Sequence, residues 1–220
     1  MKKLYFSIGL ILTALLSRAQ IKSGTIVLGG NLDYSQQNSS GPGFPNAGRS
    51  TNLEINPSFG KAVKDNLVLG FDVTYVNITT SQDQSFNDKS NGFGAGFFVR
   101  KYRPLGNGFY LFGQSRVGGE YDHGRNEGLY PTNDPETDVS NGFSLSLQFY
   151  PGIAYAISRN WQIEMGLPNF FAVNYNHSKQ TTSYVGQPDQ ISSSNNFQAT
   201  SSLTGSNVFT VGVRYFAGKK

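Results

Sequence analysis

His123 and His177 are the only histidines in the chain. Ser178 adjoins one of them, and Glu120 and Asp122 lie just before the other. A serine–histidine–acid set would activate a hydroxyl for acyl transfer, the chemistry of a lipid-modifying enzyme. Such a set is defined by geometry, not by sequence spacing, and nothing in the spacing brings these residues together. The simpler reading puts both histidines where strands meet long polar stretches, with no catalytic residue expected.

Asp134, Glu136 and Asp138 alternate, as the first oxygen ligands of a calcium loop do. The loop's glycine at position six and glutamate at position twelve are missing, since Val139 and Leu145 stand there. A solvated acidic stretch is expected, and no metal. Gly92, Gly94 and Gly96 form a Gly-x-Gly-x-Gly run. A phosphate cradle needs a strand before it and a helix after it. Here a polar stretch precedes and a strand follows, so these are expected to be small residues on the inner face of a narrow barrel. No cofactor is expected.

The other chemistry-bearing set is a group of charges spread along the chain: Glu54, Asp72, Arg100, Arg116, Glu120, Glu164 and Arg214. All fall in the polar phase of alternating stretches, joined there by Asp33. They are expected to meet as ion pairs filling a lumen. A selectivity filter is the other reading, but eight strands leave an interior that side chains nearly fill.

These charges are carried by strands of period two. Phe143, Leu145, Leu147 and Phe149 alternate with Ser144, Ser146, Gln148 and Tyr150; after a break at 158–160, Trp161, Ile163, Met165 and Leu167 alternate with Gln162, Glu164 and Gly166. That pattern is a hairpin with one apolar face. The same alternation recurs over 24–34, 51–61, 67–78, 91–103, 109–122 and 207–216, and the strand from Trp161 is expected to run on towards Tyr175 past a bend at Pro168. A kink is expected at Pro57, which cannot donate to the ladder.

Eight strands result, joined alternately by long polar loops (35–50, 79–90, 123–140, 176–206) and short turns (63–66, 104–108, 158–160). This is the connectivity of an eight-stranded antiparallel up-and-down transmembrane β-barrel, all-β, with both termini on the short-turn side. Tyr34, Tyr75, Phe93, Phe109, Tyr121, Trp161 and Tyr215 sit near strand ends on the apolar face and are expected to form the aromatic girdles. Turned inside out, the same strands would make a soluble periplasmic lipocalin-like ligand binder. That alternative exposes the charges but leaves the girdle and the four long loops without a reason.

The first twenty residues differ in kind. Lys2 and Lys3 precede an apolar run over 4–16, and Ser17 and Ala19 supply small residues for cleavage. Residues 1–19 are expected to be a secretory signal peptide and 20–220 the barrel domain. The formal charge of +4 loses Lys2, Lys3 and Arg18 with the leader, leaving fifteen basic residues against fourteen acidic. The basic balance is therefore no argument for nucleic acid. With no cysteine, neither a disulfide framework nor a lipid-modified N-terminal cysteine is available.

The fragments 94–100 (GAGFFVR), 109–113 (FYLFG) and 151–155 (PGIAY) before Asn160-Trp161 resemble the small outer-membrane β-barrel domain of Gram-negative bacteria, a porin-superfamily-like family. The likeness covers nearly all of the mature chain and rests on order and spacing, since each motif is loose. It implies export to the periplasm, insertion into the outer membrane by the barrel-assembly machinery, and contact with outer-membrane lipids and lipopolysaccharide. It implies no reaction. Such barrels often end on an aromatic residue, whereas Phe216 is followed by four more residues and is out of phase with Tyr215. A non-enzymatic envelope or surface-interaction role is therefore expected. The lipid-modifying enzyme, the narrow pore and the soluble binder remain alternatives.

Overall fold

A computed structural model describes residues 20–41, 44–82, 86–129, 135–167, 170–184, 186–201 and 210–218. The leader expected over 1–19 and Asp134 lie outside these residues. Ten strands run in order: β1 (Ile26–Gly41), β2 (Phe44–Lys64), β3 (Leu67–Gln82), β4 (Phe86–Gly106), β5 (Phe109–Leu129), β6 (Pro135–Ala156), β7 (Trp161–Gly166), β8 (Phe171–Tyr184), β9 (Gln190–Thr200) and β10 (Thr210–Ala217). Each from β1 to β6 pairs antiparallel with the next, and β10 pairs with β1 to close the sheet. β6 pairs along its end with β7 and along its beginning with β8. β7 and β8 therefore share one position in the wall, and β9 and β10 share another. The result is a closed eight-position barrel.

The break between β7 and β8 is a register change. Gly152 opposes Gly166, but Phe149 opposes Phe171, so the β7–β8 wall carries two more residues than β6 at this point. At Pro57, where a kink is expected, the β2–β3 ladder skips Asn56 and Pro57 between Ile55–Tyr75 and Ser58–Asp72 without a change of register. The short turns are tight. Asn66 (φ 61°) and Asn107 (φ 52°) take the left-handed conformation that asparagine tolerates. At the third turn Ser158 Oγ accepts from Trp161 N at 3.2 Å.

The long polar stretches depart from expectation. They are not loops. β1, β3, β5 and β8 continue seven to nine residues past Tyr34, Tyr75, Tyr121 and Tyr175, and their partners return in register. At about 3.3 Å per residue these are hairpin arms of roughly 23–30 Å along the strand. Both faces of an arm are polar, so no alternation marks them in sequence. The backbone ladder forms regardless, because unpaired amides and carbonyls gain by pairing.

The two faces of the wall have opposite chemistry. Leu28, Phe71, Phe97, Val117, Leu147 and Ile163 point outward and stay exposed, Phe97 at 72%. Arg100, Asp72, Gln114, Glu164 and Arg214 point inward and are buried. A soluble barrel would have the reverse.

Candidate functional site

The lumen is layered from the short-turn end upward. Its floor is apolar: Val27, Val68, Phe98, Tyr102, Phe112, Ala154 and Phe216 pack together with Ile21. Tyr102 is the centre of this cluster, with ring centroids 6.1 Å from Tyr110, 6.0 Å from Phe112 and 6.3 Å from Phe216. The segment before β1 is stapled across the opening. Ile21 N donates to Asn66 Oδ1 at 3.0 Å, Asn66 N donates to Ile21 O at 2.8 Å, and Gly24 N donates to Ala62 O at 2.7 Å. Alternation alone presents the inner face as polar, and this plug departs from it. Its signal was present: Phe98, Tyr102 and Phe112 stand in the inward phase of β4 and β5, and Phe216 is out of phase with Tyr215 because it points in.

Above the floor lies a buried charge cluster. Arg100, 1% exposed, pairs with Glu164, which also accepts from Arg214 Nε at 2.9 and 2.8 Å. Arg100 Nε donates to Gln114 Oε1 at 2.6 Å, and its guanidinium stacks 4.4 Å from the Phe112 ring centroid. Arg214 Nη1 reaches Ser58 Oγ at 2.9 Å. One carboxylate thus serves two arginines, and further guanidinium N–H groups find neutral acceptors. A buried ion pair survives only with such satisfaction, because each charge gives up several kcal/mol of hydration.

One layer higher, Arg116 grips Asp72, with Nη2 to Oδ1 at 2.6 Å and Nε to Oδ2 at 2.9 Å. The glycine run explains how it fits. A Cβ on Gly96 would lie 2.6 Å from Arg116 Cζ, and one on Gly118 would lie 2.6 Å from Arg116 Nη1. These two glycines oppose each other across β4 and β5. Gly92 likewise leaves room for Asp122 and Glu120.

The highest layer gathers carboxylates. Asp33 opposes Glu54 across β1 and β2, and Glu120 and Asp122 come from β5. Among the described residues none of the four makes an ion pair. Asp33, Glu54 and Glu120 line a cavity of about 390 Å³ whose walls also include Asn56, Phe98, Arg116 and Tyr150. Asp33 lines this cavity and is exposed, so the cavity reaches solvent beside it.

His123 and His177 stand on the outer face. Each Nδ1 lies 2.9 Å from an asparagine Oδ1, of Asn141 and Asn195 respectively. Glu120 and Asp122 are on the inner face of the same strand as His123, and Ser178 bonds Ser194 at 2.8 Å. The sheet separates the members of the drawn triad. Asp138 accepts from Thr182.

Outside, Phe109 stacks on Tyr155 at 4.7 Å and Trp161 on Tyr215 at 5.0 Å near the short turns. Tyr75 stacks on Phe93 at 5.0 Å near the arms, in line with Tyr121. Tyr34 is exposed on β1. From Phe109 to Tyr121, at about 3.3 Å per residue and a typical tilt of about 40°, the wall rises roughly 30 Å, a membrane's hydrocarbon thickness. A closed sheet with an apolar outer belt between aromatic rows and a polar interior pairs its backbone strand to strand, as a membrane span requires. The chain is an integral membrane β-barrel protein of the outer-membrane type.

No family model matches the chain, and no curated protein does. Among solved structures it is similar to a major outer membrane protein from Thermus thermophilus, at 12% identity over 91% of this chain and 100% of that one, with a TM-score of 0.43. It is similar to the outer membrane protein OprG from Pseudomonas aeruginosa at 13% identity over 90% and 98%, TM-score 0.43. Neisserial surface protein A matches at 16% identity over 90% and 99%, TM-score 0.36. Likeness at these levels transfers neither ligand nor role.

Proposed function

We propose that this barrel is a non-enzymatic, non-conducting envelope protein whose hairpin arms stand on the cell exterior and serve surface interaction. The observation that carries the reading is the sealed lumen. The apolar floor and the Arg100–Glu164–Arg214 cluster fill the short-turn end, and the cavity lies on the arm side of them. The charged lumen residues are engaged with one another or spread as carboxylates, with no histidine among them. That supports structure over acyl transfer. Arms longer than the span itself requires, polar on both faces, suit contact with water-borne or cell-surface partners.

Planar-bilayer recording of the purified barrel tests the reading directly. No step conductance is expected from the wild type, and Phe112→Ala combined with Tyr102→Ala should introduce it. Steps from the wild-type barrel would favour the pore. Acyl hydrolysis or transfer abolished by His123→Ala or His177→Ala would favour the enzyme.

A further inference from the structure

The outer wall carries a repeated device at the height where lipid gives way to water. On β1, β3, β5 and β8 an outward tyrosine is followed two residues later by a polar side chain: Tyr34 and Gln36, Tyr75 and Asn77, Tyr121 and His123, Tyr175 and His177. In the last three the two side chains converge on one asparagine of the next strand. Asn91 Oδ1 takes Tyr75 Oη at 3.3 Å and Asn77 Nδ2 at 2.8 Å. Asn141 Oδ1 takes Tyr121 Oη at 2.8 Å with His123 Nδ1 at 2.9 Å, and Asn195 Oδ1 takes Tyr175 Oη and His177 Nδ1, both at 2.9 Å. This ring of phenols and amides fixes the headgroup level on the arm side.

Just above that ring the charge is lopsided. On the wall from β4 to β8, Lys89, Arg125 and Lys179 all face outward and are exposed. Lys89 stands directly opposite Arg125. Lys179 opposes Asn141, the partner of His123. On the remaining wall the outward cation at this height among the described residues is Arg49, already held by Gln36 Oε1 at 2.9 Å. Like charges directly opposite each other in a sheet destabilise it. Glu127 offsets one of them through an exposed pair with Arg125 at 2.7 Å, a contact worth little in water. Lys89 and Lys179 have no ion pair among the described residues.

We infer that Lys89, Arg125 and Lys179 form a binding site for the phosphates of a bisphosphorylated glycolipid, the lipopolysaccharide type of outer-leaflet lipid. The patch continues upward from the apolar belt. A molecule whose acyl chains cover Val117, Phe143 and Leu145 puts its headgroup at this height. Arg125 and Lys179 are two strands apart and two residues offset in register, about 12 Å at roughly 4.8 Å per strand and 3.3 Å per residue, with Lys89 one strand beyond Arg125. A saccharide bearing a phosphate at each end spans such a distance; a single glycerophosphate headgroup reaches one cluster at a time. The inference rests on the proposal that the arms face the exterior.

The test is binding of purified rough lipopolysaccharide to the refolded full barrel in neutral micelles. The Lys89→Gln/Arg125→Gln/Lys179→Gln variant should bind at least about tenfold more weakly, the loss of roughly 1.4 kcal/mol or more. Arg49→Gln should bind within twofold of the wild type, and dephosphorylated glycolipid should bind wild type as weakly as intact lipid binds the triple variant. Unchanged binding by the triple variant overturns the inference. So does an equal loss in Arg49→Gln, or equally tight binding of phosphatidylglycerol vesicles, which would make the patch a general anionic surface. Micelle binding does not depend on which way the barrel faces. Labelling of Ser81→Cys by a membrane-impermeant maleimide on intact cells does, and failure there sinks the orientation rather than the patch.

Discussion

Around Arg100 and Glu164 the lumen is packed and paired; beyond the Arg116–Asp72 pair, toward the arms, it opens into a cavity lined by carboxylates. The two halves draw on the same residue types. Glu164 lies between two arginines and is buried; Glu54 and Glu120 line open space and make no ion pair among the described residues. The difference teaches that a charge inside a barrel has no fixed meaning. In the lower half the carboxylate is a structural part, because its removal leaves two cations with no water to turn to. In the upper half it is a surface that happens to be concave.

The largest effect that would break this contrast is at Glu164. Glu164→Gln leaves Arg100 and Arg214 without their shared anion, and should cost about 3–5 kcal/mol in urea unfolding from micelles. The triple replacement Arg100→Met/Glu164→Leu/Arg214→Met should recover most of that loss, since a well-packed apolar layer often equals a buried ion cluster. If Glu164→Gln unfolds like the wild type, the lower lumen is hydrated and the contrast fails.

Next comes the floor. Phe112→Ala removes the ring stacked on Arg100 and on Tyr102, and should cost about 3–5 kcal/mol by the same measurement. Gly96→Val probes the boundary between the halves. Its side chain would collide with the Arg116 guanidinium and loosen the grip on Asp72, for a loss of about 1–3 kcal/mol. The smallest effect belongs to the upper half. Glu120→Gln removes one of four neighbouring carboxylates and should change stability by no more than about 0.5 kcal/mol, an outcome typical of surface positions. A loss near that of Glu164→Gln would show that the upper acids are also structural.

Much of the wall could be read along the chain. The strand expected over 67–78 is the lower part of Leu67–Gln82, and the three short turns fall where they were placed. Alternation put Arg100, Asp72 and Glu164 in one phase and Phe97, Val99 and Ile163 in the other. The arms were not readable. Within the membrane the two faces of a strand meet different solvents, so selection writes period two; above it both faces meet water and the pattern vanishes while the ladder continues. Ile21 gave no signal either, since a single isoleucine before a strand looks like a tail until Asn66 is seen to hold it.

What the sequence determined by itself is local: which residues alternate, which face each side chain takes, how many times the chain crosses, and which connections are short. Each follows from a period of two along one strand. What only the closed barrel decided is who meets whom inside it. Arg100 reaches Glu164 across 64 positions and Arg214 reaches Ser58 across 156. The plug, the two-for-one carboxylate and the cavity above depend on the register at which β10 meets β1. Closure fixes the relative height of every strand at once, and no single strand carries that information.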